Sequence, residues 1–121
     1  MLINVSNHPH EQWGKVQKQN AIKHWGAIKD IAFPSINPEL SREELLPMVE
    51  DFFNQCQIEA LKYGPDTVFH VTGEHVFCFH LVGRLLQSGY SVVASTTERI
   101  ISYQADGAKI SRFQFVRFRY Y

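Results

Sequence analysis

The chain has 121 residues, 45% of them apolar and 20% charged, which is the size and balance of one globular domain and excludes a disordered chain. Twelve basic residues match twelve acidic ones, so the formal net charge is zero and a general coater of long DNA or RNA is excluded. The charge is unevenly placed. Residues 99–121 hold Arg99, Lys109, Arg112, Arg117 and Arg119 against Asp106 alone, a net of +4, and residues 1–98 hold a net of −4. No apolar run nears the roughly 20 residues of a membrane span. The apolar start Met1–Val5 is too short for a signal peptide and lacks a basic lead. Cys56 and Cys78 fall inside apolar helical patterns, so buried reduced thiols and a cytoplasmic location are expected.

Leu2–Ser6 reads as a short buried strand and runs into the turn cluster Asn7-His8-Pro9-His10. Glu11–Trp25 reads as a helix with Trp13, Val16, Ile22 and Trp25 near one face and Gly26 as its cap. Ile28–Phe33 is a second strand, and Pro34–Leu40 a loop. Ser41 and Glu44 have the spacing of a capping box. The helix they open carries Leu45, Met48, Val49, Phe52, Phe53, Cys56, Ala60 and Leu61, and Pro47 should kink its first turns or delay its start. After Gly64-Pro65, Thr67–Val71 is a third strand. Thr72-Gly73-Glu74 turns it into a helix with the stripe Val76, Phe79, Val82, Leu85 and Leu86, capped by Gly89. Tyr90–Ala94 is a fourth strand leading to Ser95–Arg99. Ile100–Tyr103, Asp106-Gly107 and Lys109–Tyr121 read as a β-hairpin.

This order predicts a single α/β domain over residues 1–121. It is a Rossmann-like three-layer open sheet, with a parallel β-α-β-α-β-α-β core followed by a C-terminal β-hairpin. In such sheets ligands bind at the carboxyl ends of the strands, where the strand order reverses. With the order 2-1-3-4, three polar exits share one rim: Ser6, Asn7, His8 and His10; Thr72, Gly73 and Glu74; and Ser95, Thr96, Thr97, Glu98 and Arg99.

Each exit has a plain structural reading beside a functional one. The first is turn chemistry, or a phosphate site at a helix N-terminus with His8 or His10 poised for proton transfer. At the second, Gly73 would let a ligand approach the backbone, and Glu74 is a base, a ribose 2′-OH acceptor or a first-turn acid suited to the helix dipole. At the third, three hydroxyls and a guanidinium suit phosphate, against an ordinary strand edge. On the last strand, strict alternation puts Phe113, Phe115, Arg117, Arg119 and Tyr121 on one face and Gln114, Val116, Phe118 and Tyr120 on the other. Pairing across a homodimer would cover it, with Arg117 and Arg119 near the two-fold axis; the plain reading makes them guards of an edge strand. His70, His75 and His80 are spaced by five and do not make a helical zinc pair, so no metal and no other cofactor is expected.

The Asn-His pair after strand 1, the Gly after strand 3, the string Ser95-Thr96-Thr97-Glu98-Arg99 and the ending Phe115–Tyr121 together resemble a known family. This is the small CRISPR-associated, CARF-like proteins of type III antiviral defence systems, several of which are ring nucleases. The resemblance implies a homodimer that binds cyclic oligoadenylate across its two-fold axis and linearises it without metal. It implies that Asn7, His8, Gly73, Ser95, Thr96, Thr97 and Arg99 line the site. No strand exit here carries the lysine on which some ring nucleases rely, so Arg99, or Arg117 and Arg119, would bear the phosphate charge. His8 (or His10) would be the general acid or base, with Glu74 as the alternative. Two other readings stand beside this one. One is a sensor or sponge that binds the ring without cutting it. The other is a non-enzymatic protein whose last strand docks on another subunit.

Overall fold

A computed structural model describes all 121 residues. The elements in chain order are β1 (Leu2–Ser6), a 3-10 turn (His10–Gln12), α1 (Lys15–Trp25), β2 (Ile28–Ala32), α2 (Arg42–Tyr63), β3 (Val68–Thr72), α3 (His75–Gln87), β4 (Ser91–Tyr103) and β5 (Lys109–Tyr120). They build one five-stranded sheet in the order β2-β1-β3-β4-β5. The first four strands are parallel, and β5 runs antiparallel to β4. The fold is α/β with a mixed sheet, and β1, β3 and β4 are neighbours as the shared rim requires. No helix is long and apolar enough to cross a membrane.

The sheet separates two apolar clusters. On one face, Phe53 of α2 and Phe77, Leu81 and Leu85 of α3 pack with Ile3, Val5, Phe69, Val71 and Val92. On the other, Ala21 of α1 and the preceding Trp13 pack with Leu2, Val68, Val93 and Phe118. All five residues of β1 are buried, because it lies centrally with helices over both faces. Cys56 and Cys78 are buried free thiols, and burial pushes each up to about 12, which leaves them unreactive.

The α2 capping box is present: the Glu44 amide donates to Ser41 Oγ at 3.2 Å, and the Ser41 amide donates to Glu44 Oε1 at 3.3 Å. Pro47 does not delay the helix, which runs unbroken from Arg42. Two apolar stripes differ from expectation. Val16 and Ile22 are exposed on α1, which buries only Ala21. On α3 the inward residues are Phe77, Cys78, Leu81, Val82 and Leu85, whereas Val76, Phe79 and Leu86 are exposed. Trp25 of α1 and Val82 and Leu85 of α3 keep their expected inward positions.

The fourth strand departs most from the sequence pattern. Ser95–Arg99 do not leave the sheet as a loop. They lie inside β4, which continues to Tyr103 and turns at Asp106-Gly107 into β5. The pairing with β3 ends at His70 and Val93. Beyond it, Thr96–Tyr103 and their β5 partners form a two-stranded arm of roughly 26 Å at about 3.3 Å per residue. The register slips once: Thr96 faces Arg117, but Thr97 faces Phe115, so Val116 is a bulge. The Thr96 hydroxyl braces it, accepting from the Arg117 amide at 3.2 Å and donating to the Arg117 carbonyl at 3.1 Å.

The bulge overturns the strict alternation of the last strand. Phe115 and Phe118, three residues apart, share the α1 face with ring centroids 4.9 Å apart. Arg117 and Arg119, opposite Thr96 and Ala94, project from the α2/α3 face instead.

Gly73 follows β3 without a side chain because the Phe33 ring lies against it: a Cβ would overlap Phe33 Cζ. The close approach expected for a ligand is taken by this ring. Gly73→Ala is expected to lower urea-unfolding stability by about 1–3 kcal/mol, and Gly73→Ala with Phe33→Ala should lose less than the sum of the two single changes.

Candidate functional site

Three parallel strands each carry a polar residue at their third position, and the register aligns them. Asn4 of β1 lies between Asp30 of β2 and His70 of β3. All three point to the α1 face, where Ser95 of β4 completes the row. Asn4 is fully buried and His70 is 2% exposed, yet no buried side-chain nitrogen or oxygen lacks a partner.

The chemistry of the partners fixes every proton in this row. An ionised carboxylate only accepts, so the amide nitrogen of Asn4 faces Asp30 Oδ1, at 2.7 Å. The same nitrogen donates to the His8 carbonyl at 3.1 Å. Asn4 Oδ1 is then the acceptor for His70 Nδ1 at 2.8 Å, which makes Nδ1 the protonated nitrogen. His70 Nε2 therefore accepts from the Ser95 hydroxyl, a longer contact of 3.3 Å. Trp13 and Phe118 close on the His70 ring edge to face, with centroids at 5.1 and 5.6 Å. This burial lowers His70 from 6.5 to about 4. Ser95, His70 and Asn4 follow the order of a hydrolase triad, but Asn4 brings no charge and a base this weak does not activate a hydroxyl at neutral pH.

The other end of the row is more accessible. His10 Nδ1 meets Asp30 Oδ2 at 2.7 Å, and the His10 amide donates to Asp30 Oδ1 at 3.1 Å. Both side chains are about 30% exposed. Burial works to raise the Asp30 carboxyl, but the hydrogen bonds from Asn4 and His10 outweigh it and hold it below its ordinary 3.8. With Nδ1 tied to this carboxylate, His10 has Nε2 left to exchange a proton with a ligand.

The turn that presents His10 is built on the His8 backbone. Its carbonyl accepts from Asn4 Nδ2, Ser6 Oγ at 2.9 Å and Trp13 Nε1 at 3.0 Å, and its amide donates to Ser6 Oγ at 3.1 Å. The His8 and Asn7 side chains are left exposed at the rim. Of the two histidines, His10 has the carboxylate partner.

The remaining candidates divide between this rim and other duties. Thr72 is half-buried on the same face, two residues past His70. Glu74 caps α3, accepting from the Val76 amide at 3.1 Å and the Phe77 amide at 2.7 Å, and these donors hold its carboxyl low. That is the first-turn role, and the cap occupies both its oxygens. Thr96 braces the bulge. Thr97 and Arg99 are exposed on the α1 face of the arm, where Arg99 Nε donates to Ser111 Oγ at 2.7 Å. Arg117 and Arg119 lie on the opposite face from the row.

The sequence pattern missed Asp30, Asn4 and His70 as a group. The signal was present: Leu-Ile-Asn-Val-Ser, Ile-Lys-Asp-Ile-Ala and Val-Phe-His-Val-Thr each hold a polar residue centrally in a strand expected to be buried. A cleft of about 850 Å³ lies elsewhere, between α2, α3 and Tyr121. Its lining is mostly apolar, and nothing in it matches the hydrogen-bonded row.

The neutral state of His70 sets a pH dependence. Its folded value lies below its unfolded 6.5, so the unfolded chain binds more protons between 6.5 and about 4. Stability is full above 6.5 and falls as pH drops towards 4, by roughly 3 kcal/mol at most. Asp30, also depressed, contributes above 3.8 and loses its share only below that, as pH falls through its folded value. Urea unfolding at a series of pH values should show the upper slope in the wild type, and His70→Gln should flatten it.

No curated protein matches this chain. One family model matches residues 1–119, which takes in the whole polar row and all but the end of β5, and the chain belongs to the uncharacterized protein MJ1673 family.

Proposed function

We propose that this protein is a metal-independent phosphodiesterase of Rossmann-like fold that binds a cyclic oligoadenylate across the two-fold axis of a homodimer and linearises it. The observation that supports this best is the His10–Asp30 pair: an imidazole with one nitrogen fixed by a carboxylate at the carboxyl edge of a parallel sheet. The resemblance to type III CRISPR-associated proteins supplies the ligand class.

The step is a transesterification. His10 Nε2 takes the proton of a ribose 2′-OH as its oxygen bonds to the adjacent phosphorus. The bond from phosphorus to the 5′-oxygen breaks, that oxygen takes a proton from water, and His10 Nε2 returns its own to solvent. The products are a 2′,3′-cyclic phosphate and a 5′-hydroxyl. Asp30 holds the ring in the tautomer that leaves Nε2 free. The Ser95 proton is committed to His70, so Ser95 offers lone pairs and suits a ribose hydroxyl better than a phosphate. Arg99 is a cation on the site's face and suits the phosphate charge, worth roughly 1.5–3 kcal/mol per hydrogen bond. The homodimer is supported by the open outer edge of β5 and by exposed Val116 and Tyr120.

Incubation with cyclic tetra- and hexa-adenylate in EDTA, read by chromatography, tests the reaction. The wild type is expected to give linear product. His10→Ala should slow it by about 10²–10⁴-fold while binding stays within a few fold, Asp30→Asn should slow it less, and His8→Ala should remain near wild type. Rings left intact by excess wild-type protein would overturn cleavage, and tight calorimetric binding without product would make the protein a sensor. Sedimentation should give twice the 14.0 kDa chain mass.

A further inference from the structure

The arm has two unlike faces. Register and alternation put Thr97, Arg99, Ile101 and Tyr103 of β4, with Phe115, Phe113, Ser111 and Lys109 of β5, on the α1 face. The hydrogen bond from Arg99 to Ser111 and the packing of Phe115 with Phe118 both lie on that face. The other face holds Glu98, Ile100, Ser102, Gln114, Arg112 and Ile110. So the α1 face has two cations and no carboxylate, and the arm's strand carboxylate, Glu98, is on the other side. Two aromatic rings stand open on the cationic face: Phe113 is 72% exposed and Tyr103 is 74% exposed. Phe113 is directly opposite Arg99, and Tyr103 directly opposite Lys109.

A ring beside a cation, repeated along a strand pair, matches a nucleotide chain, in which a flat base alternates with a phosphate. Neither feature suits a lipid tail or an acidic peptide as well, since those lack a flat π-face beside each charge. The bulge at Val116 makes this arrangement possible. Without the extra residue, Phe113 and Phe115 would sit on the side of Arg117 and Arg119, away from Asn4, His70 and Ser95. The face is continuous with the polar row, because Ser95, Thr97 and Arg99 alternate along one strand.

We infer that the α1 face of the β4–β5 arm is a nucleotide-binding surface, on which Phe113 stacks a base beside a phosphate held by Arg99, with Tyr103 and Lys109 as a second such pair. This deepens the nucleotide reading of the same site and rests on it for the ligand class. It assigns specificity to aromatic residues that neither the polar rim nor the row contains.

Equilibrium binding to cyclic tetra-adenylate and to linear tetra-adenylate, by fluorescence anisotropy or calorimetry, tests it. Phe113→Ala is expected to weaken binding roughly tenfold, and Phe113→Tyr to restore it to within about twofold, since a tyrosine ring stacks equally. Gln114→Ala, on the opposite face, should leave affinity unchanged. Circular dichroism checks that each variant folds, and Tyr103→Ala repeats the test at the second pair. Ring binding unchanged in both alanine variants overturns the inference and leaves the ring reading standing. Binding of the linear but not the cyclic probe, dependent on Phe113, overturns the ring reading and supports the inference. Binding of neither overturns both. A change in sedimentation with unchanged nucleotide affinity would mark the arm as a protein interface and overturn the inference.

Discussion

Asn4 sits fully buried in the inner strand β1 with a carboxylate on one side and an imidazole on the other. Leaving its amide unpaired would cost about 1–3 kcal/mol. Leaving Asp30 or His70 unpaired beside it would cost as much again or more. The row is tolerable because one amide can donate to the carboxylate and accept from the imidazole at once. That single orientation then determines the tautomer of His70, the direction of the Ser95 hydroxyl and the low titration of Asp30. Through Asp30 it also fixes the ring of His10. The accessible histidine thus inherits its geometry from a buried amide that no ligand touches.

The row depends in turn on strand register. Parallel pairing of β1 with β2 and β3 brings the third residues together, and a slip of one residue would send them to the opposite face, among Phe53, Phe77 and Leu81. The apolar neighbours Ile3, Val5, Phe69 and Val71 oppose that slip, since they would exchange places with the polar set. Polar row and apolar core therefore specify the same alignment from opposite sides of the sheet.

Much of the fold was legible in the sequence. The alternation of elements, the capping box at Ser41 and the Asp106-Gly107 turn follow from local patterns, and the adjacency of β1, β3 and β4 from the usual strand order of such sheets. What was hidden had non-local causes. The length of β4 was obscured because Ser95–Arg99 is polar enough to read as a strand exit, yet pairing with β5 satisfies its backbone, as the plain strand-edge reading requires. The bulge at Val116 leaves no mark of its own, and it alone reverses the faces of Arg117 and Arg119. Glu74 was legible as a first-turn acid and caps the Val76 and Phe77 amides, whereas Gly73 was legible as a close approach but not as one filled by the Phe33 ring. At the site, the rim residues were visible and the row was not. Its members are 26 and 66 positions from Asn4 in the chain, and only the sheet brings them together.

Apart from Phe115, which packs on Phe118, the arm beyond Ser95 lies outside both apolar clusters. Residues 101–114 are exposed throughout, and their backbone bonds run within one hairpin. Such a ribbon opens and closes on its own local free energy, without drawing on that of the core. Its amides will therefore exchange with solvent through fluctuations that leave the polar row closed. Anything that settles on the arm works first against that local opening. The molecule can thus register occupancy as slowed exchange along the hairpin, beside the rise in unfolding temperature that any ligand of the folded state brings.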